Sequence, residues 1–207
     1  MQALAAEVDP PTAVSDPARA RAVHVADSLV AAGLPELREA TAVADIGSGA
    51  GFPGLPLALA LPEARVDLID SSKRSCAVID RLIAAAGIQN ARSLPYRVEE
   101  WGAGEGRESY GAVTARALAS LAVLVEYAAP LLEPGGVLIA WKGKRREDEE
   151  VMGDAASETV GLSAASVREV QPFPEARDRH LYVFEKIAPT PDRFPRRPGM
   201  AAKRPLG

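Results

Sequence analysis

The run Ala42-Val43-Ala44-Asp45-Ile46 leads straight into Gly47-Ser48-Gly49-Ala50-Gly51-Phe52-Pro53-Gly54, and few folds accommodate that order. A short apolar strand carries an acid near its end, glycines then alternate, and Pro53 stands where a helix tolerates a missing N–H. Glycines at this spacing let the chain turn sharply and let a ligand approach the backbone. Asp70 ends the next apolar run, 23 residues after Gly47, where a carboxylate can accept from both ribose hydroxyls of a nucleoside. The segment therefore predicts an open α/β sheet with a nucleoside-containing ligand at its first strand-to-helix turn.

The rest of the chain continues the alternation. Asp16 caps a helix from Pro17 to Ala32 that Gly33 stops, followed by a strand at Ala42 to Ile46 and a helix at Pro53 to Leu61. A strand at Arg65 to Ile69 precedes a helix from Lys73 to Ala86 closed by Gly87. Strands are expected near Ala91 to Pro95 and at Gly111 to Ala115, then a helix from Ser120 to about Leu132. Pro134-Gly135-Gly136 turns the chain into the strand Val137 to Trp141. Ser166 to Gln171 and Leu181 to Glu185 are strand-like with no helix between them. The expectation is a Rossmann-like seven-stranded α/β fold, mostly parallel, ending in an antiparallel hairpin.

Three segments are expected: a loose leader over 1–16, one domain over 17–188, and a basic Pro-rich tail over 189–207. A chain of 207 residues fits a single core. Its single cysteine, Cys76, excludes an intramolecular disulfide and argues for a reducing, cytoplasmic setting without a Cys-based metal site. The beginning of the chain has no basic-then-apolar secretory pattern, and the stretch Ala117 to Leu132 is interrupted by Glu126, so neither export nor membrane insertion is expected. We expect a monomer. The tail holds five basic residues against Asp192, a charge of +4, which leaves −8 on the remainder of a chain of net −4. A cationic segment on an acidic body can reach for phosphate or simply keep the protein soluble.

Two cofactor classes fit the glycine segment. Gly49, Gly51 and Gly54 satisfy the dinucleotide pattern, which would suit an NAD(P)-dependent oxidoreductase. Asp45 and Gly47 extend it to acid-x-Gly-x-Gly-x-Gly, the pattern of S-adenosylmethionine-dependent methyltransferases, in which the acid lies near the methionine end. The terminal hairpin favours the second.

The ordered motifs resemble the RsmG (GidB) family, which methylates guanine N7 in 16S ribosomal RNA of the small ribosomal subunit. The matching pieces are His24-Val25-Ala26-Asp27-Ser28-Leu29, the glycine segment from Asp45 to Gly54, Leu68-Ile69-Asp70-Ser71-Ser72-Lys73-Arg74 and Arg97-Val98-Glu99-Glu100. They continue with Thr114-Ala115-Arg116-Ala117, Trp141-Lys142-Gly143-Lys144 and Phe194-Pro195-Arg196-Arg197-Pro198-Gly199. The resemblance implies S-adenosylmethionine contacts at Gly47, Phe52, Asp70, Val98, Glu99 and Arg116. With Asp45, Gly49, Gly51 and Ser71 these complete the candidate cofactor set. Val98-Glu99 follows the third strand, where an N–H and a carboxylate can read an adenine edge. Arg116 ends the fourth strand as the candidate for aligning the reactants, the competing reading being an ion pair with a helix carboxylate. Family members usually carry a further helical segment before the His24 piece, with Trp-Asn and Asn-Leu-Thr patterns that 1–16 does not show. The lid over the site and part of the RNA surface are therefore expected to differ here, with cofactor binding kept.

Other signals are weaker. Cys76 sits among apolar helix positions and reads as packing, which argues against a thiolate nucleophile. His24 and His180 suggest no metal, and His24 reads as structural. Lys142, Lys144, Arg196, Arg197 and Lys203 are candidate RNA contacts, whereas Arg145 and Arg146 face the acids Glu147 to Glu150 and read as neutralised. A fold-retaining but non-catalytic RNA-binding protein is the remaining alternative.

Overall fold

The computed structural model describes Leu4 and residues 16–207, so most of the expected leader lies outside the described residues. Seven strands form one sheet: β1 (Ala42–Ile46), β2 (Arg65–Ile69), β3 (Ala91–Leu94), β4 (Tyr110–Arg116), β5 (Leu132–Lys142), β6 (Ser166–Glu169) and β7 (His180–Glu185). Their order is β3-β2-β1-β4-β5-β7-β6, with β7 antiparallel to both neighbours and the other pairs parallel. All five residues of β1 are buried, as a strand covered on both faces requires.

The helical segment 17–29, labelled α1, carries a π-helical turn at Arg21–Ala26, which the sequence did not announce. Asp16 Oδ1 accepts the Arg19 N–H at 2.6 Å, as a helix cap does. The helix stops at Leu29, three residues before the expected end, and a short α2 (Pro35–Arg38) follows. Then come α3 (Gly54–Ala60), α4 (Lys73–Ala86), α5 (Val98–Gly102), α6 (Leu121–Ala128), α7 (Glu147–Val160) and α8 (Met200–Lys203). The bounds of α4 match expectation to the residue, because Ser72 caps its start through the Ser75 N–H and left-handed Gly87 ends it.

Helices cover both faces. Leu37, Leu57, Ile79 and Val43 lie in one buried layer, and Trp101, Leu124, Val160 and Ile46 in the other. Pro134 to Gly136 belong to a strand that already pairs at Leu132 with Tyr110, with an irregularity before Ala112 meets Val137. That bulge absorbs the turn expected there.

The segment 189–207 is not a loose tail. Phe194 and Ala201 are buried, and Arg107 donates to the carbonyls of Phe194 (3.0 Å) and Thr190 (3.4 Å). Arg196 Nε donates to Glu126 Oε1 at 2.7 Å, its Nη2 to Glu126 Oε2 and to the Arg204 carbonyl, and the Gly199 N–H to Glu99 Oε1 at 2.7 Å. Buried apolar contacts and a carboxylate needing a partner draw the segment onto α5 and α6, which a reading of its local charge does not reveal.

Candidate functional site

The crevice lies at the carboxyl ends of β1, β2 and β4, where open α/β sheets bind ligands. Gly47 takes φ +66° and Gly49 φ +55°. The two are needed for different reasons. A Cβ at Gly47 would sit 2.5 Å from the Leu118 side chain, so this glycine lets the β4 exit turn close over the loop. A Cβ at Gly49 would meet only the Gly47 carbonyl oxygen at 4.0 Å, so Gly49 presents its backbone to open space. Gly51 is closed off by Leu55, whose side chain would lie 2.5 Å from a Cβ at that position.

Asp70 holds this loop from the side: Oδ2 accepts the Gly49 N–H and Oδ1 the Ser72 N–H, each at 2.8 Å. The carboxylate is half-buried, Ser71 beside it is exposed, and each oxygen keeps accepting capacity. A half-open carboxylate next to bare glycine backbone suits the ribose and chain of a nucleoside cofactor. The donor set therefore fits S-adenosylmethionine.

Asp45 is fully buried beneath the loop. Its Oδ2 accepts the Gly54 N–H at 3.1 Å and its Oδ1 the Thr114 hydroxyl at 3.0 Å. Burial pushes its carboxyl up to about 6, against the opposing pull of its hydrogen bonds to Ser48, Thr114 and Gly54. The structure thus corrects its expected place beside the methionine end: Asp45 shapes the loop from below, because strand residues are enclosed on both faces.

Val98 and Glu99 open α5 and are both buried, with the Gly199 N–H on the Glu99 carboxylate. Phe52 is partly exposed and stacks on His24 with ring centroids 4.7 Å apart. Burial, then the Arg116 charge, push the His24 imidazole below its usual range, with Asp27 opposing. Cys76 is buried, and burial raises its thiol, as packing without nucleophilic activation requires.

Arg116 stands between α1 and the loop. Its Nη1 donates to Asp27 Oδ2 at 2.9 Å and to the Val23 carbonyl at 3.0 Å, and its guanidinium lies 5.7 Å from the Phe52 ring centre. The ion pair with a helix carboxylate is therefore real, and it lies at the crevice. Ala117 follows at φ +54°, a conformation that side-chain residues rarely adopt. Trp141 Nε1 donates to the Asp27 carbonyl at 2.8 Å. Asp27 and Trp141 stood within matched motifs, and Arg116's need for a carboxylate was the signal that could have singled out Asp27.

The basic candidates separate. Lys142 donates to Glu149 at 2.5 Å and to the Ala119 carbonyl at 3.1 Å, and Arg196 is committed to Glu126. Neither is free for phosphate as it stands. Lys144, Arg197 and Lys203 are exposed. Arg145 pairs with Glu150 and Arg146 with Asp148, as their charged neighbours suggested.

A family model for rRNA small subunit methyltransferase G matches residues 12–182. Ribosomal RNA small subunit methyltransferase G of Pelotomaculum thermopropionicum is 38% identical over 197 residues, covering 94% of this chain and 82% of that protein. The protein of the same name from Rubrobacter xylanophilus is 41% identical over 187 residues, covering 88% and 72%. Among solved structures, the apo S-adenosylmethionine-dependent methyltransferase SibL superposes with TM-score 0.63 at 15% identity, covering 78% of this chain and 55% of that one. The chain thus spans just over half the length of that structure, and the likeness speaks to the fold. The nicotinamide and non-catalytic alternatives find no support in these relatives.

Proposed function

The chain belongs to the rRNA small subunit methyltransferase G (GidB) family, and on that premise we propose that it is a monomeric cytoplasmic enzyme that methylates N7 of a guanine in 16S ribosomal RNA. It is an S-adenosylmethionine-dependent methyltransferase. No helix among the described residues is long and apolar enough to cross a membrane. The small ribosomal subunit, or its RNA, is the proposed partner.

The observation that carries the reading is the pairing of Gly49, open to ligand, with the half-buried Asp70 carboxylate that already positions it. S-adenosylmethionine supplies an electrophilic methyl group. Asp70 would accept from its ribose, the Gly47 to Gly51 backbone would line its chain, and Val98 and Glu99 would flank its adenine. Phe52, Ser71 and Arg116 complete the proposed contacts, with Asp45 acting through the loop.

Guanine N7 carries a lone pair and no proton. That lone pair would accept the methyl group that bound S-adenosylmethionine supplies, with S-adenosylhomocysteine as the leaving group and a cationic N7-methylguanine as the product. No general base is needed, so the chain's task is alignment, which can lower a barrier by roughly 7–11 kcal/mol in favourable cases. Its position beside Phe52 and Asp27 supports Arg116 in that task.

Mass mapping of methylated guanines in 16S RNA from cells with and without the gene tests the reading: one N7-methylguanine should vanish with the gene, and an unchanged map overturns it. Calorimetry tests the cofactor site. Asp70→Ala should weaken S-adenosylmethionine and S-adenosylhomocysteine by about 1.5–3 kcal/mol through the lost charged acceptor. Unchanged affinity removes the ribose assignment.

A further inference from the structure

Beyond Arg116, a cavity of about 380 Å³ opens at the carboxyl ends of β4 and β5, bounded in part by Val23, Asp27, Arg116, Trp141, Val170 and Arg179. Asp27 is 8% exposed and fixed from several directions: Oδ2 holds Arg116, and the backbone carbonyl takes the Trp141 indole. Its other oxygen, Oδ1, is buried and has no hydrogen-bond partner among the described residues. The cation beside it, Arg179 Nε, stays at 3.8 Å, and the Arg179 side chain is 42% exposed. A buried carboxylate oxygen without a donor is costly, and native proteins rarely leave one without a reason. A long, half-exposed ion pair is cheap to move aside.

We infer that this cavity seats the acceptor base and that Asp27 reads guanine through its N1–H, an inference that rests on the guanine reading above. Phe52 of the glycine loop lies against the Arg116 guanidinium, and Arg116 as donor stands beside Asp27 as acceptor. Guanine presents N7, then the O6 acceptor, then the N1–H and N2 amine donors in that order along its edge. With Arg116 on O6 and Asp27 Oδ1 on N1–H, N7 is left facing the loop side. Adenine puts an amine where Arg116 donates and a bare N1 where Asp27 accepts, so both contacts are wrong. The walls Val23, Trp141 and Val170 supply the apolar surface that a planar base needs.

The test uses the full chain and guanosine, inosine and adenosine 5′-monophosphates, read by the NMR shift of the Trp141 indole N–H. Guanosine and inosine monophosphates, which share O6 and N1–H, should move that signal, and adenosine monophosphate should bind at least about tenfold more weakly. Asp27→Asn should bring guanosine and adenosine monophosphates to within about twofold of each other. Arg179→Ala, which uncovers the acceptor without removing it, should keep the preference. Equal binding of the guanine and adenine nucleotides, a Trp141 signal unmoved by millimolar guanosine monophosphate, or wild-type selectivity in folded Asp27→Asn overturns the inference. Should Asp27→Asn fail to fold, the three nucleotides on the unmodified chain decide alone. Absence of these preferences in the unmodified chain with 16S guanine methylation intact defeats only this inference, whereas a methylation map unchanged by the gene defeats the parent reading.

Discussion

Arg116 and Arg196 are both held by carboxylates from distant stretches of chain, and the two pairs do different work. Arg196 binds Glu126 of α6 through two nitrogens, and the Glu126 side chain is only 2% exposed. Arg116 binds Asp27 through one oxygen and leaves the other buried without a donor, in a residue that borders a cavity at the ends of β4 and β5. One pair is closed on itself and fastens a segment. The other is half-spent, and a half-spent buried pair beside a crevice is where recognition is to be sought. Asp45 makes a third case, a buried carboxylate with only neutral donors in hydrogen-bond contact.

The largest effect is expected from breaking the closed pair. Arg196→Ala leaves the Glu126 charge buried without its cation, which should cost about 3 kcal/mol of stability, at the low end for buried pairs because Arg196 is partly exposed. Replacing both partners, Glu126→Leu with Arg196→Met, should recover most of it. Denaturant unfolding measures this directly, and a single substitution within 0.5 kcal/mol of the unmodified chain would falsify the fastening role.

Arg116 should show a loss of turnover that Arg196 does not, on top of the stability lost when the buried Asp27 keeps no close cation. Arg116→Ala is expected to lower kcat/KM about a hundredfold, the scale of an ångström of misalignment. Arg116→Lys should recover little, because the planar fork is lost while the charge stays. Full activity in Arg116→Lys reduces the role to charge, and unfolding of Arg116→Ala would show that the two pairs are alike after all.

How far the two regions were legible follows from the same contrast. The glycine loop, Asp70, the bounds of α4 and the terminal hairpin were readable because periodicity, caps and turn residues act within a few positions of themselves. Arg196 and Glu126 are 70 residues apart, and Gly199 and Glu99 are 100 apart. Nothing local distinguishes an arginine that will meet a buried carboxylate from the exposed Arg197 beside it. The π-helical turn in α1 was hidden for a related reason: it lies in the segment that brings Asp27 to Arg116 and Trp141, contacts formed only when the sheet is assembled. That the Asp45 side chain is closed in beneath the loop was not legible either, since a strand residue's burial depends on what covers each face.

Asp45 sharpens the comparison through pH. Its carboxyl is raised to about 6 by burial, so the folded chain binds its proton more tightly than the unfolded chain. The stability it contributes is present below its unfolded pKa near 4 and is lost as pH rises through about 6. Against Asp45→Asn, which cannot titrate, the unmodified chain should lose about 2 kcal/mol between pH about 4.5 and 6.5. A difference constant across that range would mean that its neutral donors stabilise the anion as well as water does.

The smallest effect separates spent from unspent cations at the surface. Arg197 and Lys203 are exposed on the docked 189–207 segment, and Lys144 is exposed after β5, whereas Arg196 and Lys142 are occupied by Glu126 and Glu149. We propose that the exposed three meet RNA phosphate and that the occupied two do not. A phosphate contact releases counterions, so losing one should shallow the log–log dependence of RNA affinity on salt by about 0.7–0.9, depending on the form of the RNA. Arg197→Ala, Lys203→Ala and Lys144→Ala should each do so, while Lys142→Ala should leave the slope within error because its charge is already answered. If instead Lys142→Ala shallows the slope and Arg197→Ala does not, RNA pulls Lys142 from Glu149 on binding, and pairing in the free protein is no guide to which cations recognise phosphate.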